Sequence, residues 1–123
     1  MAAAETRGLL RDAIWRRSLG EFDALCQQHS LSRSDIRNHM LACIKHGSYD
    51  IFKYLSERIV LNTKDVIRML RYIKYMSMGC ITTDRFIILM ILRTKYEIDP
   101  AVMEKCKGVG WDNFHLVPAA YWS

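Results

Sequence analysis

Apolar residues along this chain recur at intervals of three and four, and no segment alternates cleanly between apolar and polar. That period belongs to helices packed by one face rather than to half-buried strands. No Asn-Gly or Asp-Gly hairpin turn occurs. The helical stretches are punctuated by capping residues. An opening helix is expected around Leu9 to Arg17. Ser18 and Glu21 then have capping-box spacing ahead of Phe22 and Leu25. Ser34 or Asp35 is placed to cap a helix carrying Ile36, Met40, Cys43 and Ile44, which Gly47 ends. Ser48 opens the next, with Ile51, Phe52 and Leu55. Asn62 or Thr63 opens another that ends near Gly79, and Thr82 or Thr83 one that runs to about Thr94. Asp99-Pro100 starts a last helix that ends near Gly108. The predicted class is all-α, with about seven helices joined by short loops.

Two of these helices differ in character. From Lys64 to Met76, Val66, Met69, Leu70, Ile73 and Met76 fall on one face, and Lys64, Arg68, Arg71, Lys74 and Tyr75 on the other. This predicts an amphipathic helix with a basic outer surface. Phe86-Ile87-Ile88-Leu89-Met90-Ile91-Leu92 is apolar all round, so it needs cover on several sides, from neighbouring helices or from a second copy of the chain.

Displaced by 30 residues, the sequence matches itself: Ile14 with Ile44, Ser18 with Ser48, Phe22 with Phe52, Leu25 with Leu55, Leu31 with Leu61, Asp35 with Asp65 and Ile36 with Val66. A third copy begins in the same register, Met40 on Leu70 and Cys43 on Ile73. It takes about four extra residues around Ser77 to Cys80 before Phe52 falls on Phe86 and Leu55 on Leu89. Such a period suits stacked helical hairpins. Approximate repeats 8–34, 35–63 and 64–98 within a single domain, 1–123, are closed by a capping helix and tail, 99–123. The alternative is a compact six- or seven-helix bundle of the death-fold or Bcl-2-like kind.

The stretch Met40-Leu41-Ala42-Cys43-Ile44-Lys45-His46-Gly47-Ser48-Tyr49-Asp50-Ile51-Phe52-Lys53-Tyr54-Leu55 resembles the two helices of an ankyrin repeat. Gly47 matches the family's turn, Ile51-Phe52 its apolar pair, Leu55 its closing Leu, and Cys43 its small packing residue. The family's Thr-Pro-Leu-His opening is replaced by Asn38-His39-Met40-Leu41, Arg17 stands in place of the turn Gly in the first unit, and the repeat is about three residues short. The resemblance spans roughly Leu9 to Lys95. It implies stacked hairpins with reduced β-hairpin fingers and a protein-binding role. Divergent repeats of this kind are similar to those of large DNA viruses, where they engage host proteins.

Composition adds charge and compartment. Lys and Arg number 18 against 13 Asp and Glu, a formal net charge of +5, which admits an acidic protein or a nucleic acid as partner. The positive charge concentrates in Arg7, Arg11, Arg16 and Arg17, near Trp15, and in the helix of Arg68 and Arg71. Four dispersed cysteines, no CxxC pair, no signal-like start and no apolar run of membrane length predict a reduced chain in the cytoplasm or nucleus, off the membrane.

Chemistry-bearing motifs are few. Cys26-x2-His29 and His39-x3-Cys43 have the local spacing of zinc ligands, but the nine residues between the histidines match no zinc module, so no metal is assigned. HExxH, GxSxG and phosphate-binding Gly loops are lacking, and no enzyme activity or cofactor is expected. Basic residues mixed with tyrosine or tryptophan also suit nucleic acid, as the second choice. The tail from Gly108 to Ser123 carries four aromatics and one charged side chain. It is expected either to cover the open end of the stack or to anchor a partner or second copy. The expected function is therefore protein binding. Its contact residues are taken to be exposed: Trp15, Arg16, His46, Ser48 and Tyr49 at the turns, Arg68, Arg71 and Tyr75 on the basic helix, and Trp111 and Trp122 in the tail.

Overall fold

Half of the helices among the described residues start where a short polar side chain takes up a backbone N–H. A computed structural model describes residues 3–77 and 81–96. Among them it shows six helices and no strand, so the chain is all-α. The expected helix at 99–108, the tail with Trp111 and Trp122, and Cys80 and Cys106 lie outside the described residues.

The helices are α1 (Ala3–Trp15), α2 (Leu19–Gln28), α3 (Arg33–His46), α4 (Tyr49–Ser56), α5 (Thr63–Ser77) and α6 (Thr83–Lys95). The cap of α3 is Ser32, not Ser34 or Asp35: its Oγ accepts the Asp35 N–H at 3.1 Å. Asn62 Oδ1 accepts the Asp65 N–H at 2.8 Å ahead of α5, and Thr82 Oγ1 accepts the Arg85 N–H at 3.3 Å ahead of α6. Each such cap is worth about 1 kcal/mol to its helix. Ser18 and Ser48 stand at N-cap positions but make no side-chain cap bond. The capping box expected at Ser18 and Glu21 does not form, because the Glu21 carboxylate is held by Arg16 instead.

The chain divides into two units, Met1–Val60 and Leu61–Ser123. In the first, α1 packs on α2 and on α3, α3 packs on α4, and α2 touches α4. Leu10, Ala13, Ile14, Phe22, Met40, Cys43, Ile44, Ile51, Phe52 and Leu55 are fully buried. Three rings meet in this core. Phe22 presents T-shaped contacts to His39, at 6.0 Å between centroids, and to Tyr54, at 5.9 Å. The Tyr54 hydroxyl donates to Asp23 Oδ1 at 2.6 Å, and the Arg58 guanidinium lies 3.4 Å above its ring.

The turns α1–α2 and α3–α4 share one geometry. Gly47 is left-handed, with φ 71°, as its place at a helix end requires. Arg17, which corresponds to it 30 residues earlier, is left-handed too, with φ 57°. A side chain there costs about 1 kcal/mol more than glycine. Ser18 N–H reaches the Ala13 carbonyl and Ser48 N–H the Cys43 carbonyl, both at 2.9 Å, the long bond of a Schellman turn.

In the second unit α5 packs on α6. Val66, Met69, Leu70 and Ile73 are buried, while Lys64, Arg68, Arg71 and Tyr75 are exposed, as the periodicity predicts; Lys74 and Met76, expected on opposite faces, are both half-buried. The Leu61 N–H donates to the Tyr96 hydroxyl at 2.9 Å. On α6, Phe86, Ile88, Leu89 and Leu92 are buried and Ile87, Met90 and Ile91 are half-buried. The cover that this helix needs is thus supplied largely within one chain.

Candidate interaction surfaces

The residues expected at the turns separate into three kinds. Trp15 ends α1 and is 66% exposed, so its indole is open to a partner. Arg16 is exposed but committed. Its Nε donates to Asp12 Oδ2 at 2.8 Å, its Nη1 to Glu21 Oε1 at 3.0 Å, and its Nη2 lies against both carboxylates. These bonds hold Glu21 below the usual carboxylate range and Arg16 further above its own, and they join the end of α1 to the start of α2. Arg16 is therefore a clamp rather than a free contact.

Ser48 corrects the expectation of an exposed turn residue. It is buried, and its hydroxyl donates to the Ile14 carbonyl at 2.6 Å. Its hydroxyl is turned inward to the end of α1, which leaves it no face for solvent. In the reverse direction, Arg17 Nη2 donates to the His46 carbonyl at 3.2 Å. The two turns are thus cross-tied by a pair of reciprocal bonds. His46 and Tyr49 are half-buried beside them, and Tyr49 lines a small recess of about 60 Å³ with Arg17, Gly47 and Asp50. Ser48→Ala is expected to leave the Ile14 carbonyl without its buried donor. It should lower stability to urea by about 1–2 kcal/mol without changing helix content.

The basic helix presents a surface of another kind. Lys64, Arg68, Arg71 and Tyr75 follow at spacings of four, three and four, one stripe along α5, and all are exposed. None of these cations has a carboxylate within ion-pair distance among the described residues, whereas Arg7 and Arg16 each do. Tyr72 stacks on Tyr75, with centroids 6.3 Å apart and planes 12° from parallel, and Tyr75 is 72% exposed. Sequence reasoning singled out Tyr75 but not Tyr72. Their i, i+3 spacing on one helix was the available signal.

The four side chains with local zinc spacing do not assemble. Among the described residues no group of three or more His, Cys, Asp or Glu is placed to hold a metal ion. Cys26 and Cys43 are free thiols, and burial pushes both up, Cys43 strongly, which keeps them protonated at neutral pH and poor as ligands or nucleophiles. His39 is buried on α3, and neither ring nitrogen has a hydrogen-bond partner among the described residues. No helix among the described residues is long and apolar enough to cross a membrane.

The N-terminal arginine cluster read from the sequence is divided by the fold. Arg7 Nε meets Asp35 Oδ1 at 3.2 Å, Arg16 is taken by Asp12 and Glu21, and Arg17 by the His46 carbonyl. The stripe on α5, in contrast, has no carboxylate partner among the described residues. Comparison of the chain with protein-family models, curated proteins and solved structures finds no significant match to any of them.

Proposed function

We propose that the chain is a non-enzymatic protein-binding module whose α5 face holds an acidic segment of a partner. The observation that carries this reading is the row Lys64, Arg68 and Arg71, exposed and without carboxylate partners among the described residues, leading to the Tyr72–Tyr75 stack. Arg and Tyr are the side chains that most often dominate protein interfaces, and tyrosines already stacked lose little freedom on binding. Unpaired positive charge adds long-range steering toward an acidic surface. Trp15, with 66% of its surface open, is a second anchor for the same class of partner.

The ankyrin-like reading draws support from unit 1. Two hairpins share a turn geometry, and like helices lie side by side, α1 with α3 and α2 with α4. Such stacks serve as binding scaffolds. The free thiols Cys26 and Cys43 suit a reducing compartment, the cytoplasm or nucleus.

The same mixture of Arg and Tyr favours nucleic acid as the second reading. Titration with an acidic peptide and with a single-stranded oligonucleotide at several salt concentrations separates the two. Under the proposal the peptide binds, and Arg68→Glu with Arg71→Glu weakens it by about a hundredfold or more, since two charged contacts are reversed. Tight oligonucleotide binding with a steep fall in salt, and no peptide binding, would replace it by the nucleic-acid reading.

A further inference from the structure

Unit 1 carries a polar cleft that sequence reasoning did not single out and that the proposed use of α5 does not involve. Its volume is about 330 Å³, and its walls come from three places: Thr6 and Arg7 on α1, Gln28, His29 and Ser30 at the end of α2 and the loop beyond, and Asp35 in the first turn of α3. That volume lies within the range of small-ligand sites.

The polar groups in these walls are unevenly satisfied. His29 Nε2 is buried and has no hydrogen-bond partner. Buried polar nitrogens are nearly always paired, so this one marks a place where a partner group belongs. Arg7 spends its Nε on Asp35 Oδ1, at 3.2 Å, and its terminal N–H groups make no hydrogen bond among the described residues. The side chains of Gln28 and Ser30 make no hydrogen bond among the described residues either. Asp35, in contrast, is occupied: hydrogen bonding from Ser32, then the charge and hydrogen bond of Arg7, hold its carboxyl below the usual range.

The cleft therefore offers the Arg7 terminal N–H groups and a His29 nitrogen that lacks a partner, beside an ionised carboxylate whose charge Arg7 only partly offsets. A dianion would be repelled by Asp35 and matched by too little positive charge, whereas a neutral molecule would leave the Arg7 fork unused. A single carboxylate fits both demands, with two acceptor oxygens for the Arg7 terminal N–H groups and a remaining lone pair for His29 and Ser30. We infer that this cleft is a carboxylate-binding site, which takes either a small organic acid or the acidic side chain of a peptide.

The test uses the whole chain. The His29 ring-nitrogen resonances, assigned by their loss in His29→Gln, are followed by NMR during titration with acetate, with a capped Gly-Asp-Gly peptide and with sulfate. A saturable shift with acetate, with the peptide, or with both supports the site, and the stronger of the two identifies the source of the carboxylate. Arg7→Gln should weaken that binding by about tenfold or more, and Arg11→Gln should leave it unchanged. The Arg7 side chain is 56% exposed, so its variant is expected to fold, which far-UV circular dichroism checks. The site is overturned if neither carboxylate gives a saturable shift, if sulfate binds as tightly, or if Arg7→Gln binds as well as the natural chain.

Discussion

Replacing His39 by leucine is expected to make the Met1–Val60 unit more stable at neutral pH, by about 1–3 kcal/mol, although the histidine is one of the most buried residues there. Its side chain is 3% exposed, and both ring nitrogens lack hydrogen-bond partners. Leucine has a similar volume, keeps the contact with Phe22 and removes two polar atoms that water satisfies only in the unfolded chain. The effect should grow with acid. Burial holds the imidazole below its ordinary value of 6.5, with Arg11 and Arg7 acting in the same direction and Asp35 opposing them. Above that ordinary value the ring is neutral in both states, and its titration contributes nothing. Below it the unfolded chain takes up a proton that the folded chain excludes, so stability falls as the pH falls. The slope approaches about 1.4 kcal/mol per pH unit until the lowered folded value is reached. Urea unfolding of both chains between about pH 7 and pH 5 measures this. A less stable leucine variant, or an acid limb of equal slope, would show that His39 is satisfied in the folded chain.

Phe22→Ala should have the opposite sign and the largest size. Phe22 is fully buried and joins α2 to His39 on α3 and to Tyr54 on α4 through edge contacts of 6.0 and 5.9 Å. Truncation removes the ring and leaves a cavity that three helices cannot close without parting, at a cost of about 3–5 kcal/mol. That is a large fraction of the stability of a unit this size. Loss of the cooperative thermal transition in circular dichroism is the expected readout. Phe52→Ala is a comparison at the position 30 residues later, where the ring is equally buried. Retention of a sharp transition within about 1 kcal/mol of the natural chain would mean that the core repacks around the gap.

These two neighbours in the core differ in how plainly the sequence announces them. Phe22 was placed by helical period and by its match to Phe52. The burial of His39 is not announced, because a histidine carries no periodic signal of its own and the helix face that it occupies is decided by what α2 brings against it. The same division runs through the surfaces. The stripe on α5 is legible because its four residues share one helix and one period. The cleft is not, since Arg7, His29 and Asp35 come from separate segments that only the fold unites. Helix ends follow a similar rule. Gly47 was readable because its conformation suits glycine. Arg17 adopts that conformation against its own preference, under the pull of neighbouring backbone bonds and of the His46 carbonyl. Ser48 looks like a cap in sequence. Its hydroxyl serves Ile14 instead, 34 residues away, a competition that local sequence does not display.

The cross-ties between the two turns carry a kinetic consequence. Each spans a long stretch of chain, Arg17 to His46 and Ser48 to Ile14, while the bonds inside each hairpin are short-range. Local bonds form early and loop closure over a long stretch comes late, so the cross-ties should be made after the folding barrier has been passed. Their loss in Ser48→Ala would then appear almost wholly as faster unfolding, with the refolding limb of the chevron scarcely moved. The turns would act as a latch that governs how long the folded hairpins stay together rather than how quickly they find each other.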